Sequence, residues 1–359
     1  MRFDLKKTNM VKCIAIVLML MHHLFGCFVE ACQAYGVYSL WVPWDKMIEF
    51  SKAAKVCVAT YVFLTAYGIT TSCEKKFEAL NDKVGYEKLC INRYKKLAFN
   101  FFIVYVIAVL TSFLRTKSVM EIYGAREDGK EILYAVFDML GVASYFSTPS
   151  LNETWWYMSL AIILVFVVPL FVLFYKKIGK VLIIVAIFTT MFDINGSILL
   201  SGYFMPVAMG IVFAEEGYFE KIYNLKIVAN SKSNSVIKWV IIGFCFLLLM
   251  FKRDSYIDYR YWIDTCAPIL LGAMVLELSN LLPCLEGPMN YIGKHSMNIF
   301  LIHTLIFEYY FMDFIYGFKY WMFVLLALLI TSLVGSIIIE WIKKILRINV
   351  LIDKWLSYK

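Results

Sequence analysis

The chain has 359 residues, of which 61% are hydrophobic, 17% aromatic and 17% charged, with a formal net charge of +8. That balance is far from a soluble globular mix. A basic excess can mark a nucleic-acid binder, but here its placement along the chain follows membrane topology and excludes that class.

Apolar runs of membrane-spanning length recur from end to end, and about ten spans are predicted. They lie at 9–28, 54–72, 97–114, 155–175, 180–194, 198–215, 236–251, 261–281, 296–315 and 320–341. The longest polar stretches, 73–96 and 115–154, are too short for ordinary domains. The expectation is therefore a single all-α domain over 1–359, a polytopic transmembrane helical bundle. With the N-terminus inside, roughly two-thirds of the Lys and Arg residues fall on the cytoplasmic side. The positive-inside rule then places both termini in the cytoplasm. The nine cysteines form no disulfide framework; Cys27 and Cys32 alone sit close together on the outer side. No Cys/His cluster has zinc spacing, so no metal is expected.

The first span, "KCIAIVLMLMHHLFG", carries a lysine and two histidines, although ionisable groups in a membrane helix are expensive. Lys12 and His23 are eleven residues apart, which is three turns plus about 20°, so they share a face about 16 Å apart along the axis. His22 points about 100° away. Lys12 could equally snorkel to headgroups, whereas an imidazole at the depth of His23 needs a partner or a watery cavity.

The third span is entered through "INRYKKLAFNFF". Arg93 and Lys96 lie one turn apart there, as a phosphate clamp or as topology determinants. The fourth opens on the outside with "NETWWYMSL", where Glu153 adjoins Trp155 and Trp156, a pair that also suits an interfacial belt. Asp193 and Asp264 fall near outer span ends and Glu277 near an inner one, with no evident pairing. In the ninth span His303 is either a satisfied interhelical histidine or a supporting site residue. Glu308 follows it by about 140° and so faces elsewhere.

Together these stretches resemble the acyltransferase 3 family of integral-membrane acyltransferases. "KCIAIVLMLMHH" is similar to that family's basic residue, ten spacers and histidine, with Lys12 where arginine is usual. "YVFLTAYGITTS" resembles its second helix, with Thr65 and Ala66 replacing the usual Ser-Gly pair. "INRYKKLAFNFF" resembles its Arg-x-x-Arg stretch, with Lys96 as the second cation. "TWWYMSLAIILVFVVPL" and "IGKHSMNIFLIHTLI" resemble its Trp-aromatic helix and its late Gly-x-x-Ser and Leu-Ile-His signature.

The resemblance implies transfer of an acyl group, usually acetyl, from cytosolic acyl-CoA to a hydroxyl of an extracytoplasmic glycan or glycolipid. No bound cofactor is expected, and the protein would reside in the plasma membrane. Lys12, Arg93 and Lys96 would bind the donor, and His23 would be general base or acyl carrier. Glu153 would join the chemistry, with His303 and Trp156 in support. Two other classes remain open at this level: a secondary transporter or glycan exporter, which consumes no acyl-CoA, and a scaffold, which tolerates alanine at Lys12 and His23.

Overall fold

The computed structural model describes residues 3–76, 83–115, 117–191, 201–253 and 260–347. Among them the chain is all-helical, with no β-strand. Asp193 lies outside the described residues. The helices fall into two compact units, Met1–Asn81 with Val167–Ser296, and Asp82–Phe166 with Met297–Lys359.

In chain order, α1 (Leu5–Met21) continues as a π-helical turn, His22–Cys27. Then come α2 (Val29–Ala34), α3 (Trp44–Ala53), α4 (Val56–Lys76), α5 (Lys83–Leu110) and the short α6 (Val119–Tyr123) and α7 (Glu131–Met139). Next are α8 (Trp156–Ile178), α9 (Val181–Met191), α10 (Phe204–Glu216), α11 (Tyr218–Asn224), α12 (Ser231–Arg253) and α13 (Arg260–Leu281). Finally, α14 (Glu286–Thr304) runs into a second π turn, Leu305–Tyr310, before α15 (Met312–Tyr316) and α16 (Trp321–Ile345).

Six helices among the described residues are long and apolar enough to cross a membrane. They coincide with the expected first, second, fourth, seventh, eighth and tenth spans, and the protein is an integral membrane protein. The expected third span is the C-terminal part of α5. The ninth is divided among the end of α14, the π turn and α15. Of the fifth and sixth, α9 and most of α10 are described, while residues 192–200 are not.

In the first unit α4 is central, packed against α1, α10 and α13. Phe3, Phe63, Tyr67, Phe213 and Phe219 form an edge-to-face and stacked aromatic cluster around it. The start of α14 lies directly on α1. Lys7 pairs with Glu286 at 2.9 Å, Asn9 donates to Asn290 at 2.9 Å, and a Cβ on Gly293 would fall 1.8 Å from the Asn9 carbonyl oxygen. The glycine of "IGKHS" is therefore set by helix-to-helix approach, the membrane-protein use of a small residue.

Two span carboxylates left unpaired by sequence, Asp264 and Glu277, find cations here. Arg253 grips Asp264 through Nε at 2.6 Å and Nη2 at 2.9 Å, a buried two-point contact. Buried Lys238 pairs with buried Glu277 and donates to the Ile222 and Tyr223 carbonyls at 2.9 and 2.8 Å. Lys238 and Arg253 are about 22 Å apart along α12, so the two pairs close opposite ends of an antiparallel α12–α13 hairpin. Removing one partner of such a pair strands a buried charge at about 3–5 kcal/mol. Cys27 and Cys32 are not joined by a disulfide; the Cys32 thiol donates to the Leu24 carbonyl at 3.2 Å.

The second unit is built on Phe101, Val104, Tyr105, Leu151, Trp155, Met158, Leu301 and Leu305, buried together. Polar contacts tie the helices across this core. Asn100 donates to Asn298, which donates to Glu340, at 3.0 and 2.8 Å. Thr111 and the Tyr310 hydroxyl meet at 2.7 Å.

Candidate active site

In the first unit, the α1 backbone changes from α to π geometry where its two histidines stand. A π turn widens the helix and re-aims the side chains that follow, a device frequent at functional sites. The two rings meet edge to face, 5.2 Å between centroids. His22 Nδ1 lies 3.0 Å from the Ser51 carbonyl, which can only accept, so that nitrogen carries the proton. Its Nε2 then faces the Cys27 thiol at 3.5 Å as acceptor. His22 thus joins the π turn to α3. His23 and Lys12 are half-buried in a helix whose other residues are mostly buried. The Lys12 main-chain carbonyl accepts from the Tyr61 hydroxyl at 3.2 Å.

The second unit contains a cleft of about 700 Å³. Its walls come from the segment between α5 and α8 and from the second π turn. Trp155 is fixed beneath it, donating from Nε1 to the Leu301 carbonyl at 2.9 Å, with its ring edge to face with Phe101. Trp156, the next residue, stays half-exposed at the cleft. Arg115 places its guanidinium carbon over the Tyr309 ring, 3.9 Å from the centroid, and donates to the Leu151 carbonyl at 2.7 Å. Glu153 and Glu308 line the same cleft as electrostatic neighbours. An aromatic face with carboxylates that accept hydrogen bonds matches the apolar faces and hydroxyl rims of a sugar.

Asp138 sits at the cleft wall, 1% exposed. It accepts from the Tyr123 hydroxyl at 2.9 Å, the Ser150 hydroxyl at 2.7 Å and the Leu151 amide at 2.7 Å. These donors favour its charge, yet burial outweighs them and raises its pKa from 3.8 to about 6. The folded state then holds the proton more tightly than the unfolded chain, so the stability from this group falls as pH rises from about 4 to about 6. The charged form costs on the order of 2–3 kcal/mol at neutral pH. Asp138→Asn is expected to remove this dependence, because the Ser150 hydroxyl can turn to accept from the new amide. The melting temperature of the parent should drop relative to the variant over that pH window. A difference independent of pH would refute the assignment.

Of the residues singled out from sequence, Lys12 and His23 belong to the first unit. Arg93, Lys96, Glu153, Trp156 and His303 belong to the second. Arg93 is half-buried and Lys96 exposed on α5, while Glu153 and Trp156 share the cleft. His303 is fully buried; its Nδ1 meets the Phe300 carbonyl at 2.7 Å and its Nε2 the Thr304 hydroxyl at 3.1 Å. Thr304 in turn meets Thr154 at 3.1 Å, which ties the histidine to the strip that carries Glu153. Arg115, Asp138, Glu308 and Tyr309 were not singled out as site residues. For Glu308 and Tyr309 the signal is the π turn over Leu305–Tyr310, which helical arithmetic at 100° per residue does not register; Arg115 and Asp138 lie outside it, on the segment between α5 and α8. Among the described residues no three His, Cys, Asp or Glu side chains gather as metal ligands.

A family model described as an acyltransferase domain, Acyl_transf_3, covers residues 6–341. No curated protein and no solved structure matches the chain.

Proposed function

The chain belongs to the acyltransferase 3 family, whose members transfer acyl groups in membranes, and from that premise we propose the donor, the acceptor and the direction of transfer. The donor is acyl-CoA, with acetyl as the acyl group, bound from the cytosol. The acceptor is a hydroxyl of an extracytoplasmic glycan or glycolipid at the plasma membrane. The family match carries this reading, because it takes in both the His23 helix and the cleft.

Charge supports the assignment of ends. A CoA donor is anionic, and Lys12, Arg93 and Lys96 are the cations that the positive-inside count assigns to the cytosolic side. His23, deeper on α1, then serves as general base or transient acyl carrier. Glu153 and Trp156, with Glu308 and Tyr309, line the cleft in which the sugar is held. His303 supports that cleft through Thr304 and Thr154.

Sidedness tests the whole scheme. In proteoliposomes of known orientation, acetyl-CoA supplied on the cytoplasmic side should acetylate a glycan confined to the other side. Free CoA should appear where the donor was added. Acetylation only when both substrates share the cytoplasmic compartment would overturn the vectorial route. Movement of unmodified glycan without CoA release would make the protein an exporter and overturn the enzyme reading as well.

A further inference from the structure

The segment between α5 and α8 reads as a polar loop by composition, yet its short helices are sharply two-faced. On α7, Tyr134 and Asp138 are buried one turn apart and belong to the cleft side. Ile132, Leu133, Val136 and Leu140 are exposed on the opposite side, Ile132 by 81%. At 100° per residue these four fall within about 100° of arc. Phe146, stacked on Phe137 with centroids 4.4 Å apart, extends the apolar surface. Phe113, 79% exposed, and Leu110 add exposed apolar side chains at the end of α5.

Water is a poor solvent for such a face. Contiguous exposed apolar side chains on a soluble surface mark a contact with lipid or protein. Two features favour lipid. α7 packs against α5, whose Phe102 and Leu110 are also exposed, and the segment leads on into Glu153–Ile178, a helix long and apolar enough to cross a membrane. Exposed Lys130, at the start of α7, borders it, as cations flank the apolar side of an interfacial helix.

We propose that this face is seated in one leaflet, at the boundary of headgroups and acyl chains, so that the cleft receives its sugar from a lipid-anchored acceptor. The statement about the acceptor rests on the cleft's being the acceptor site; the seating of the face does not. A helix lying in that boundary buries its apolar side about 5–10 Å deep, which brings a cleft on its other side to headgroup level. A sugar on a lipid anchor is held at that level, whereas a free oligosaccharide must be captured from bulk water.

Photocrosslinking in native membranes separates the outcomes. With benzoylphenylalanine at Ile132 or Val136, irradiation should yield lipid adducts, and the same label at Lys130 should yield few. Crosslinking to a second copy of the chain, or lipid labelling no greater than at Lys130, would overturn the seating. Acceptor choice is read separately, with a lipid-linked disaccharide and the same disaccharide free in solution. Ile132→Gln with Val136→Gln should raise the acceptor KM about tenfold for the lipid-linked form only. Equal parental KM values for the two forms would overturn the lipid-anchored acceptor while leaving the crosslinks to stand. If Trp156→Ala leaves both KM values unchanged, the cleft is not the acceptor site, and that clause falls with it.

Discussion

Alanine at position 23 is expected to lower acyl transfer by about 10²–10⁴-fold, the span usual for losing a general base. Insertion and accumulation should stay normal. The ring is half-buried on a π turn, a distortion frequent at functional sites, in an otherwise mostly buried helix. Its neighbour is the built-in control. His22 holds the Ser51 carbonyl, so His22→Ala should cost about 1–3 kcal/mol of stability by leaving that acceptor unmet, with a far smaller effect on turnover. Purified His23→Ala that moves labelled acetyl at the parental rate would remove His23 from the chemistry. A comparable loss of turnover in both variants would point to the π turn as a structural unit.

Lys12→Ala and Arg93→Ala are each expected to raise the KM for acyl-CoA about tenfold or more, with turnover little changed. A charged hydrogen bond to phosphate contributes about 1.5–3 kcal/mol, and losing a contact made equally in ground and transition states appears in KM alone. Packing should survive the first change, because Tyr61 bonds to the Lys12 main-chain carbonyl, which alanine keeps. Lys12→Arg should retain function, since it preserves the cation and adds the planar fork. Lower turnover at unchanged KM would place Lys12 and Arg93 in packing or catalysis instead.

The membrane class and six of the expected spans were legible because a bilayer imposes a length and a polarity on each segment separately. The same local logic marked Lys12 and His23 as costly residues in need of a reason. It also drew attention to Glu153 and Trp156, which do line the cleft.

What sequence could not supply was partnership across the fold. Arg253 with Asp264 and Lys238 with Glu277 become pairs only when α12 and α13 fold back antiparallel, and by sequence Asp264 and Glu277 have no evident partner. Arg115 reaches Tyr309 from nearly two hundred residues away. Asp138 gains its raised pKa from burial, a quantity that exists only in three dimensions. The two π turns lie between these cases, since a helix is readable from local pattern but its widening is not. Sequence by itself determined the solvent, the helical class and the family resemblance, because each depends on local composition and spacing. Tertiary structure alone decided which charges are paired, which histidines are spent on packing contacts, and which side chains close the cleft, because those follow from distances between segments far apart in the chain.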